Sequence, residues 1–263
     1  MSIGIVIKGP EGLVLAADSR ITLTATPREG GATIQVNYDN AQKVLKFTHP
    51  NISIGVVTYG LGAIGLRSAY SFLPEFEASL PDERLTVEDF AKHQSDFFLQ
   101  QWQSTMPEDY TGPPMIFVTA GFNENEPYGR VYESQIPTAP DPVEQHSNDF
   151  GITWGGQREI VDRLIKGYDG RMLHITSNNL QLDNSQIQEL QQAFEPLQMQ
   201  IPLPVLPLQD CIDLAIFFIR TTIDAQKLTV GVRGCGGPID VATITRLEGF
   251  KFVQAKQIRG EKV

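Results

Sequence analysis

The chain has 263 residues, of which 41% are hydrophobic, 9% aromatic and 20% charged, as in a globular protein able to bury a large core. Its formal net charge of −10 argues against nucleic acid or an anionic membrane as the main partner, because both attract clustered Lys and Arg. Length alone permits one large domain or two small ones.

The two cysteines, Cys211 and Cys235, are too few for a disulfide framework and form no C-x-x-C metal pair. A reducing compartment is the simpler assumption. The N-terminal residues lack the basic, apolar and small-residue order of a secretory signal. The most apolar stretch, residues 211–222, contains Asp213 and Arg220 and is too short to span a bilayer. We therefore expect a soluble, cytoplasmic protein with no membrane partner.

The N-terminal part of the chain is predicted to form β structure. Isoleucines alternate with smaller or polar residues over residues 3–7, and residues 12–18 (GLVLAAD) form the apolar run of a strand buried on both faces. The turn KGPEG between them predicts a hairpin. After a polar segment at residues 26–40, the stretches 43–47 and 52–58 predict a second hairpin.

Helices and further strands are predicted in the middle of the chain. Residues 62–73 are predicted to be helical up to Pro74, and residues 86–106 begin with the capping-box pattern of Thr86 and Asp89. The next predicted elements are strands at residues 115–122, 129–134 and 150–154, a Pro-rich loop at 136–143 and a helix at 157–168.

Residues 170–207 are interpreted as an insertion. Within it, residues 185–194 are Gln-rich with helical periodicity, and the prolines that follow prevent the helix from continuing. Residues 208–227 carry an apolar stripe that predicts a core helix, and the last predicted elements are strands at residues 239–245 and 250–253. Groups of strands separated by long helices predict an α+β fold in which helix layers cover sheets.

Ser2 is a candidate nucleophile if methionine aminopeptidase removes Met1, because its hydroxyl then lies beside a free α-amine. An α-amine has a pKa of about 7.7–8.0, so an appreciable fraction is neutral near cell pH and can accept a proton. A positive neighbour would lower the pKa of the amine and of the hydroxyl, and a carboxylate would hold that neighbour in place.

Asp18 and Lys43 are the candidates for such a pair. Asp18 ends an apolar run, and Lys43 opens the next clear strand. If the first three strands are neighbours, Ser2, Asp18 and Lys43 converge at one edge of one sheet. The alternative is that Asp18 is a turn residue and Lys43 a solvated strand end, since charged residues are common at such positions. The residue pattern leaves both readings open.

Residues 2–20 resemble the N-terminus of mature proteasome β subunits and related N-terminal-nucleophile hydrolases. Those proteins begin with a catalytic Thr, followed by a strand, a turn and a strand that ends in D-S-R. Asp18 lies sixteen residues after Ser2, as in the family, and LVLAADSRIT is similar to the family's V-x-A-A-D-S-R-x-T, with Thr22 at its last position.

Other segments extend the resemblance to most of the chain outside residues 170–207. Lys43-Val44-Leu45 is similar to the family's lysine motif, although it comes ten residues later than usual. The segment that ends at Gly60 is similar to the family's G-x-x-A-G. Residues 154–157 and 208–241 are similar to its later glycine-rich segment, final helix and Gly-Gly turn.

The resemblance implies a single domain over residues 1–263, with the insertion at about 170–207, that folds as a four-layer αββα sandwich of N-terminal-nucleophile type. It implies that the Ser2 hydroxyl attacks an amide carbonyl, that Lys43 lowers local pKa values and that Asp18 anchors Lys43. The backbone N–H of Gly60 would stabilise the oxyanion, with Ser19 and Arg20 as structural support. It further implies peptide or protein substrates, assembly into a homo-oligomeric ring or open ring, and no metal or organic cofactor; an ATPase partner is left open.

Departures from the family pattern keep two alternatives open. The nucleophile is Ser where proteasome subunits use Thr, and the family's three assisting residues fall on Gly155, near Val232 and on Cys235. One alternative is a catalytically inactive assembly subunit that keeps the fold. The other is an amidase of the same type acting on a small-molecule amide.

Overall fold

The computed structural model describes residues 2–25, 34–231, 233–258 and 260. Two five-stranded antiparallel sheets and a two-stranded ribbon are present in these ranges. In spatial order the first sheet contains β10 (Gly151–Gly156), β1 (Ile3–Lys8), β2 (Leu13–Asp18), β11 (Ile239–Thr245) and β12 (Gly249–Gln254). The second contains β5 (Val44–Lys46), β6 (Ile54–Gly60), β7 (Met115–Gly121), β8 (Arg130–Ile136) and β9 (Ala139–Gln145).

The ribbon pairs β3 (Ile21–Ala25) with β4 (Ile34–Tyr38). The α-helices are α1 (Leu73–Ser79), α2 (Val87–Thr105), α3 (Glu159–Lys166), α4 (Arg171–Leu180), α5 (Asn184–Phe194) and α6 (Leu208–Leu228). None of the helices in the described ranges is long and apolar enough to cross a lipid bilayer.

Helices cover the outer faces of the two sheets, and the inner faces pack on each other. Helix α6 lies on β1, β2 and β11, with α3 beside it, while α2 lies on β7, β8 and β9. Between the sheets is an apolar layer that includes Val6, Leu15, Val57, Val118 and Phe250. The predicted α+β class and four-layer αββα sandwich are therefore confirmed.

Strands β1 and β2 are fully buried because each lies between α6 and the second sheet. Ile3, Ile5 and Ile7 pack with the α6 side chains, whereas Val6 faces the other sheet. The alternation of side chains along a strand places each set on its own face. The two predicted hairpins, β1–β2 and β5–β6, are both present with antiparallel register.

The predicted capping of α2 is confirmed. Thr86 precedes the first helical residue, and its Oγ1 accepts a hydrogen bond from the Asp89 backbone N–H at 3.1 Å. This bond satisfies one of the donors that a helix start leaves without an intrahelical partner. The acidic residues Glu88 and Asp89 also complement the positive end of the helix dipole.

The predicted helix at residues 62–73 is wrong over most of its length. Residues 61–68 form turns, Ala69–Phe72 forms a short 3-10 helix, and α1 begins at Leu73 with Pro74 in its first turn. Proline is favourable there because the first-turn N–H groups have no intrahelical acceptor. Pro74 therefore belongs to the start of a helix, not to the end of one.

The Pro-rich stretch at residues 136–143 was predicted to be a loop, and this prediction is also wrong. Strand β9 contains Pro140 and Pro142 and pairs with β8 at the edge of the second sheet. An edge strand has one side without a neighbouring strand, so the missing proline N–H breaks no ladder hydrogen bond.

The polar segment at residues 26–40 contains a strand that was not predicted. This strand is β4, which pairs with β3 from Ile34 to Tyr38. Residues 26–33 lie outside the described residues. Helix α5 matches the helix predicted within residues 170–207, whereas α4 was not predicted.

Candidate active site

Asp18 and Lys43 form a buried ion pair at one end of the sandwich. Lys43 Nζ lies 2.6 Å from Asp18 Oδ1, and the two side chains are 7% and 0% exposed. Asp18 ends β2 in the first sheet, whereas Lys43 directly precedes β5 in the second sheet. The expectation that these residues converge along the edge of a single sheet is wrong, because they meet across the interface between two sheets.

Both carboxylate oxygens of Asp18 accept two hydrogen bonds each. Oδ1 accepts from the Ile3 backbone N–H at 3.0 Å and from Lys43 Nζ at 2.6 Å. Oδ2 accepts from the backbone N–H groups of Arg20 at 3.2 Å and of Gly236 at 2.9 Å. These bonds offset the cost of burying the carboxylate. They also join strand β1 to the turn after β2 and to the turn before β11.

The Lys43 ammonium has two acceptors, Asp18 and the Arg20 carbonyl oxygen. Burial lowers the pKa of Lys43, because the charged ammonium is poorly solvated at this position, and the Asp18 carboxylate opposes the shift. Lys43 therefore releases its proton more readily than a lysine in water.

The Ser2 backbone is held against the end of β10. The Ser2 carbonyl oxygen accepts a hydrogen bond from the Gln157 N–H at 2.7 Å, and Ser2 is only 4% exposed. Gly156 has a φ of +88°, and a side-chain carbon there would collide with the Ser2 carbonyl oxygen. Glycine is thus required at position 156 for Ser2 to take this position.

Ser2 and Lys43 line the same cavity, whose volume is about 30 Å³. Its wall also includes Thr58 from β6 and Leu61 and Ser68 from the turns after β6. Such a volume accommodates one or two water molecules, whereas pockets for small-molecule ligands are about 300–1,000 Å³. The cavity beside Ser2 is therefore too small to hold a substrate in this conformation.

The Gly60 N–H points toward the side of β6 on which Lys43 lies. Thr58 N–H donates to the Lys43 carbonyl at 2.9 Å, and Leu61 N–H donates to the Pro114 carbonyl on the other side at 2.9 Å. Because N–H groups alternate along an antiparallel strand, Gly60 shares the orientation of Thr58. Gly60 has a φ of +84°, and a side chain there would collide with the Pro114 carbonyl oxygen.

Arg20 and Ser19 extend the site toward the late glycine turn. The Arg20 guanidinium binds both carboxylate oxygens of Asp39, at 2.6 and 2.8 Å, and donates to the Arg233 carbonyl at 3.1 Å. Ser19 is fully buried, and its N–H donates to the Gly236 carbonyl at 3.1 Å. Thr22, on β3, donates its hydroxyl to Asn37 at 2.8 Å.

Two positions where the family has assisting serines are occupied differently here. A side chain at Gly155 would collide with the Tyr59 ring, whose hydroxyl donates to Glu133 at 3.3 Å. Cys235 is buried, and burial together with the nearby Asp18 raises the pKa of its thiol. The family's assisting Asp falls near Val232, which lies outside the described residues, as does Met1.

A second buried ion pair, between Asp240 and Lys256, lies beside the first and was not found by sequence reasoning. The one available signal was Asp240 itself, a carboxylate inside the apolar strand β11. No group of three or more His, Cys, Asp or Glu side chains in the described ranges is placed to hold a metal ion.

Comparisons with known proteins find a solved structure with a similar fold and no match by sequence. No family model and no curated protein matches the sequence. Among solved structures, the chain is similar to that titled "Anbu (Gly-1) mutant from Hyphomicrobium sp. strain MC1", with a TM-score of 0.59 and 13% sequence identity. The match covers 100% of this chain and 89% of that chain. At 13% sequence identity this likeness shows a shared fold and no more.

Proposed function

We propose that this protein is an N-terminal-nucleophile amide hydrolase, a proteasome-like peptidase whose nucleophile is Ser2 once Met1 has been removed. The observation that carries the proposal is the buried Asp18–Lys43 pair, at 2.6 Å, whose lysine lines the same cavity as Ser2. A buried ion pair is costly to build, and this one is joined by a hydrogen bond to Ile3, the residue next to the nucleophile.

The proposed reaction is acyl transfer in two steps. Ser2 Oγ attacks the amide carbonyl carbon, and the hydroxyl proton passes to the α-amine of the same residue. The carbonyl oxygen becomes an oxyanion that accepts from the Gly60 N–H. The C–N bond then breaks, the proton goes to the leaving amine, and an ester on Ser2 remains. Water hydrolyses that ester, with the α-amine again accepting the proton.

Lys43 and Asp18 support this reaction electrostatically. A positive charge at Lys43 lowers the pKa of the Ser2 hydroxyl and of the α-amine, which keeps the amine available as a base near neutral pH. Asp18 fixes Lys43 through the 2.6 Å contact and fixes the start of β1 through the Ile3 N–H. Loss of the pair is therefore expected to reduce the rate of acyl transfer.

The decisive experiment compares the wild type with Ser2→Ala. The wild type is incubated with an unfolded peptide, with small amides and with a hydroxyl-reactive peptide electrophile, and the labelled residue is located by mass spectrometry. We expect label on Ser2 and hydrolysis that disappears in Ser2→Ala. Ser53→Ala serves as a control for loss of a hydroxyl elsewhere. Equal turnover by wild type and Ser2→Ala would contradict the proposal.

A second candidate within the same chemistry is an amidase that acts on a small amide. At about 30 Å³ the cavity beside Ser2 is too small for a peptide or for a small amide, so its volume does not separate the two substrate classes. Turnover of small amides without turnover of unfolded peptide would select this candidate. The same assay thus separates the two substrate classes.

An inactive subunit that serves assembly is the remaining alternative. Retention of Met1 in protein from its natural host would support it, because the Ser2 nitrogen would then be a peptide nitrogen without basicity. Intact-mass measurement decides this point. We propose in addition that the chain forms a homo-oligomer, ring or open ring, which sedimentation at several protein concentrations tests.

A further inference from the structure

The ion pair between Lys256 and Asp240 is as deeply buried as the pair in the candidate site. The two side chains are 7% and 2% exposed, and Lys256 Nζ contacts Asp240 Oδ2. The Lys256 backbone N–H also donates to Asp240 Oδ1, at 2.8 Å. Lys256 follows β12 near the end of the described chain, where a lysine would ordinarily remain in water. Its burial therefore needs a specific reason.

Lys256 connects to the candidate site through Ser19. Lys256 Nζ lies 3.1 Å from Ser19 Oγ, and Ser19 is fully buried directly after Asp18. The Ser19 carbonyl accepts from the Ala41 N–H at 2.9 Å, two residues before Lys43. Lys256 thus holds the backbone turn to which both members of the Asp18–Lys43 pair are attached.

Lys256 also acts on Lys43 through its charge. The ionisable groups that face Lys43 are Asp18 from β2, Cys235 from the turn before β11, Asp39 from the segment after β4, and Lys256. The pKa of Lys43 is lowered first by burial and further by the positive charge of Lys256. Like charges repel strongly where the surroundings are poorly polarisable, so the Lys256 ammonium disfavours protonation of Lys43.

We infer that Lys256 is a positioning residue of the candidate active site: it orients Asp18 through Ser19, and its positive charge acts on Lys43. The inference rests on the proposed function of Ser2, Asp18 and Lys43. It assigns to the segment after β12 a role in the chemistry at the opposite end of the chain. No covalent step involves Lys256, because its ammonium is engaged by Asp240 and Ser19.

The test measures the titration of Lys43 directly. Protein labelled with ¹³C-lysine is titrated by NMR, and the Lys43 resonance is assigned by its absence in Lys43→Met. Because Lys256→Met alone leaves Asp240 buried without a partner, the double variant Lys256→Met/Asp240→Asn is titrated as well. Lys251→Met is the matched control, since Lys251 lies on β12 but is 57% exposed and paired with Glu248.

We expect the Lys43 pKa to rise in the single and the double Lys256 variants and to stay at the wild-type value in Lys251→Met. Because the proposed chemistry uses Lys43 in its charged form, labelling of Ser2 by the peptide electrophile should then persist to higher pH, with the alkaline loss of labelling rate displaced by the same amount as the Lys43 pKa. A merely structural role for Lys256 would not move this pH profile.

An unchanged Lys43 pKa in the folded double variant would overturn the inference. So would an equal rise in Lys251→Met, since the effect would then come from net charge and not from the buried position. Failure of the wild type to label at Ser2 would instead refute the proposed function. The NMR titration remains interpretable in that case, because it requires no turnover.

Discussion

At the scale of single residues, Asp18 is the most heavily engaged side chain of the site. Its two oxygens accept four hydrogen bonds, from Lys43 and from the backbone of Ile3, Arg20 and Gly236. Three of these donors belong to segments that are far apart in sequence. Asp18 therefore has a structural role that is independent of whether the site performs chemistry.

We predict that Asp18→Asn lowers the free energy of unfolding by about 3–5 kcal/mol, because it leaves the Lys43 ammonium buried without a counter-ion. Asp39→Asn is the matched control, since Asp39 also pairs with a cation, Arg20, but is 42% exposed. Exposed pairs are worth about 0–1 kcal/mol. Urea unfolding at pH 7 measures both. Equal losses in the two variants would show that burial of the Asp18 pair has no energetic consequence.

Cys211 provides a pH prediction that does not depend on the site. Burial raises the pKa of its thiol to about 11, and the acidic neighbours Asp210 and Glu11 act in the same direction. A cysteine in an unfolded chain has a pKa of about 8.5. Above that pH the unfolded chain releases a proton that the folded protein retains. The stabilisation that the Cys211 thiol contributes to the folded protein is therefore complete below pH 8.5, and it is lost as the pH rises toward the folded-state pKa of the thiol.

We predict that this effect steepens the alkaline loss of stability by at most about 1.4 kcal/mol per pH unit, and that Cys211→Ala removes it. Guanidinium unfolding at pH 7.5 and pH 10, with a reductant present, measures the difference. Cys235 remains in both proteins, so its own titration cancels. Identical pH dependence in the wild type and Cys211→Ala would contradict the prediction.

At the scale of elements, helix α2 and strand β9 show how local signals depend on their surroundings. The cap of α2 can be predicted from the sequence because Thr86 and Asp89 are three residues apart and their hydrogen bond is local. The prolines of β9 were misread because their effect depends on whether the strand lies at the edge of the sheet. That position follows from the pairing of β8 and β9 and not from the residues themselves.

We predict that Thr86→Ala lowers the free energy of unfolding by about 1 kcal/mol, because it removes the acceptor for the Asp89 N–H. Ser104→Ala, in the last turn of the same helix, is the matched control. The Ser104 hydroxyl is exposed, and its contacts are local: it donates to the carbonyl three residues earlier and lies 3.3 Å from the Thr105 hydroxyl. Thermal unfolding followed by circular dichroism compares the two. A larger effect at Ser104 would contradict the assignment of the cap.

At the scale of the whole molecule, helices α4 and α5 form a segment that takes no part in the core of the sandwich. Neither helix contributes a buried residue. The chain leaves and returns at nearly one place, because Met199 N–H donates to the Ile165 carbonyl at 2.9 Å and Gly167 lies against Leu197. A segment with adjacent ends and no share in the core adds little to the stability of the fold.

We predict that replacing residues 170–195 by a short Gly-Ser linker changes the free energy of unfolding by about 1 kcal/mol or less, since loop length has a weak effect on stability. Phe218→Ala, a core substitution in α6, is the comparison variant and should lower the free energy of unfolding by about 3–5 kcal/mol. Guanidinium unfolding compares the two. Loss of cooperative unfolding in the shortened protein would mean that these residues belong to the core domain.

Much of this architecture is predictable from the sequence because its signals are local. The doubly buried strands β1 and β2, the turn between them and the core helix α6 all follow from hydrophobic periodicity and turn residues within short windows. The sixteen-residue spacing of Ser2 and Asp18 is likewise a property of one hairpin. For these features, the residues that determine the structure are near neighbours in sequence.

The sequence by itself therefore determined the two sheets' hairpins, the core helix and the carboxylate at the end of β2. Only the tertiary structure decided that Lys43 approaches Asp18 from the second sheet, and that Lys256 and Asp240 form a second buried pair. The physical reason is that ion pairs of this kind depend on desolvation and on the stacking of sheets. Both bring together residues that no local periodicity relates.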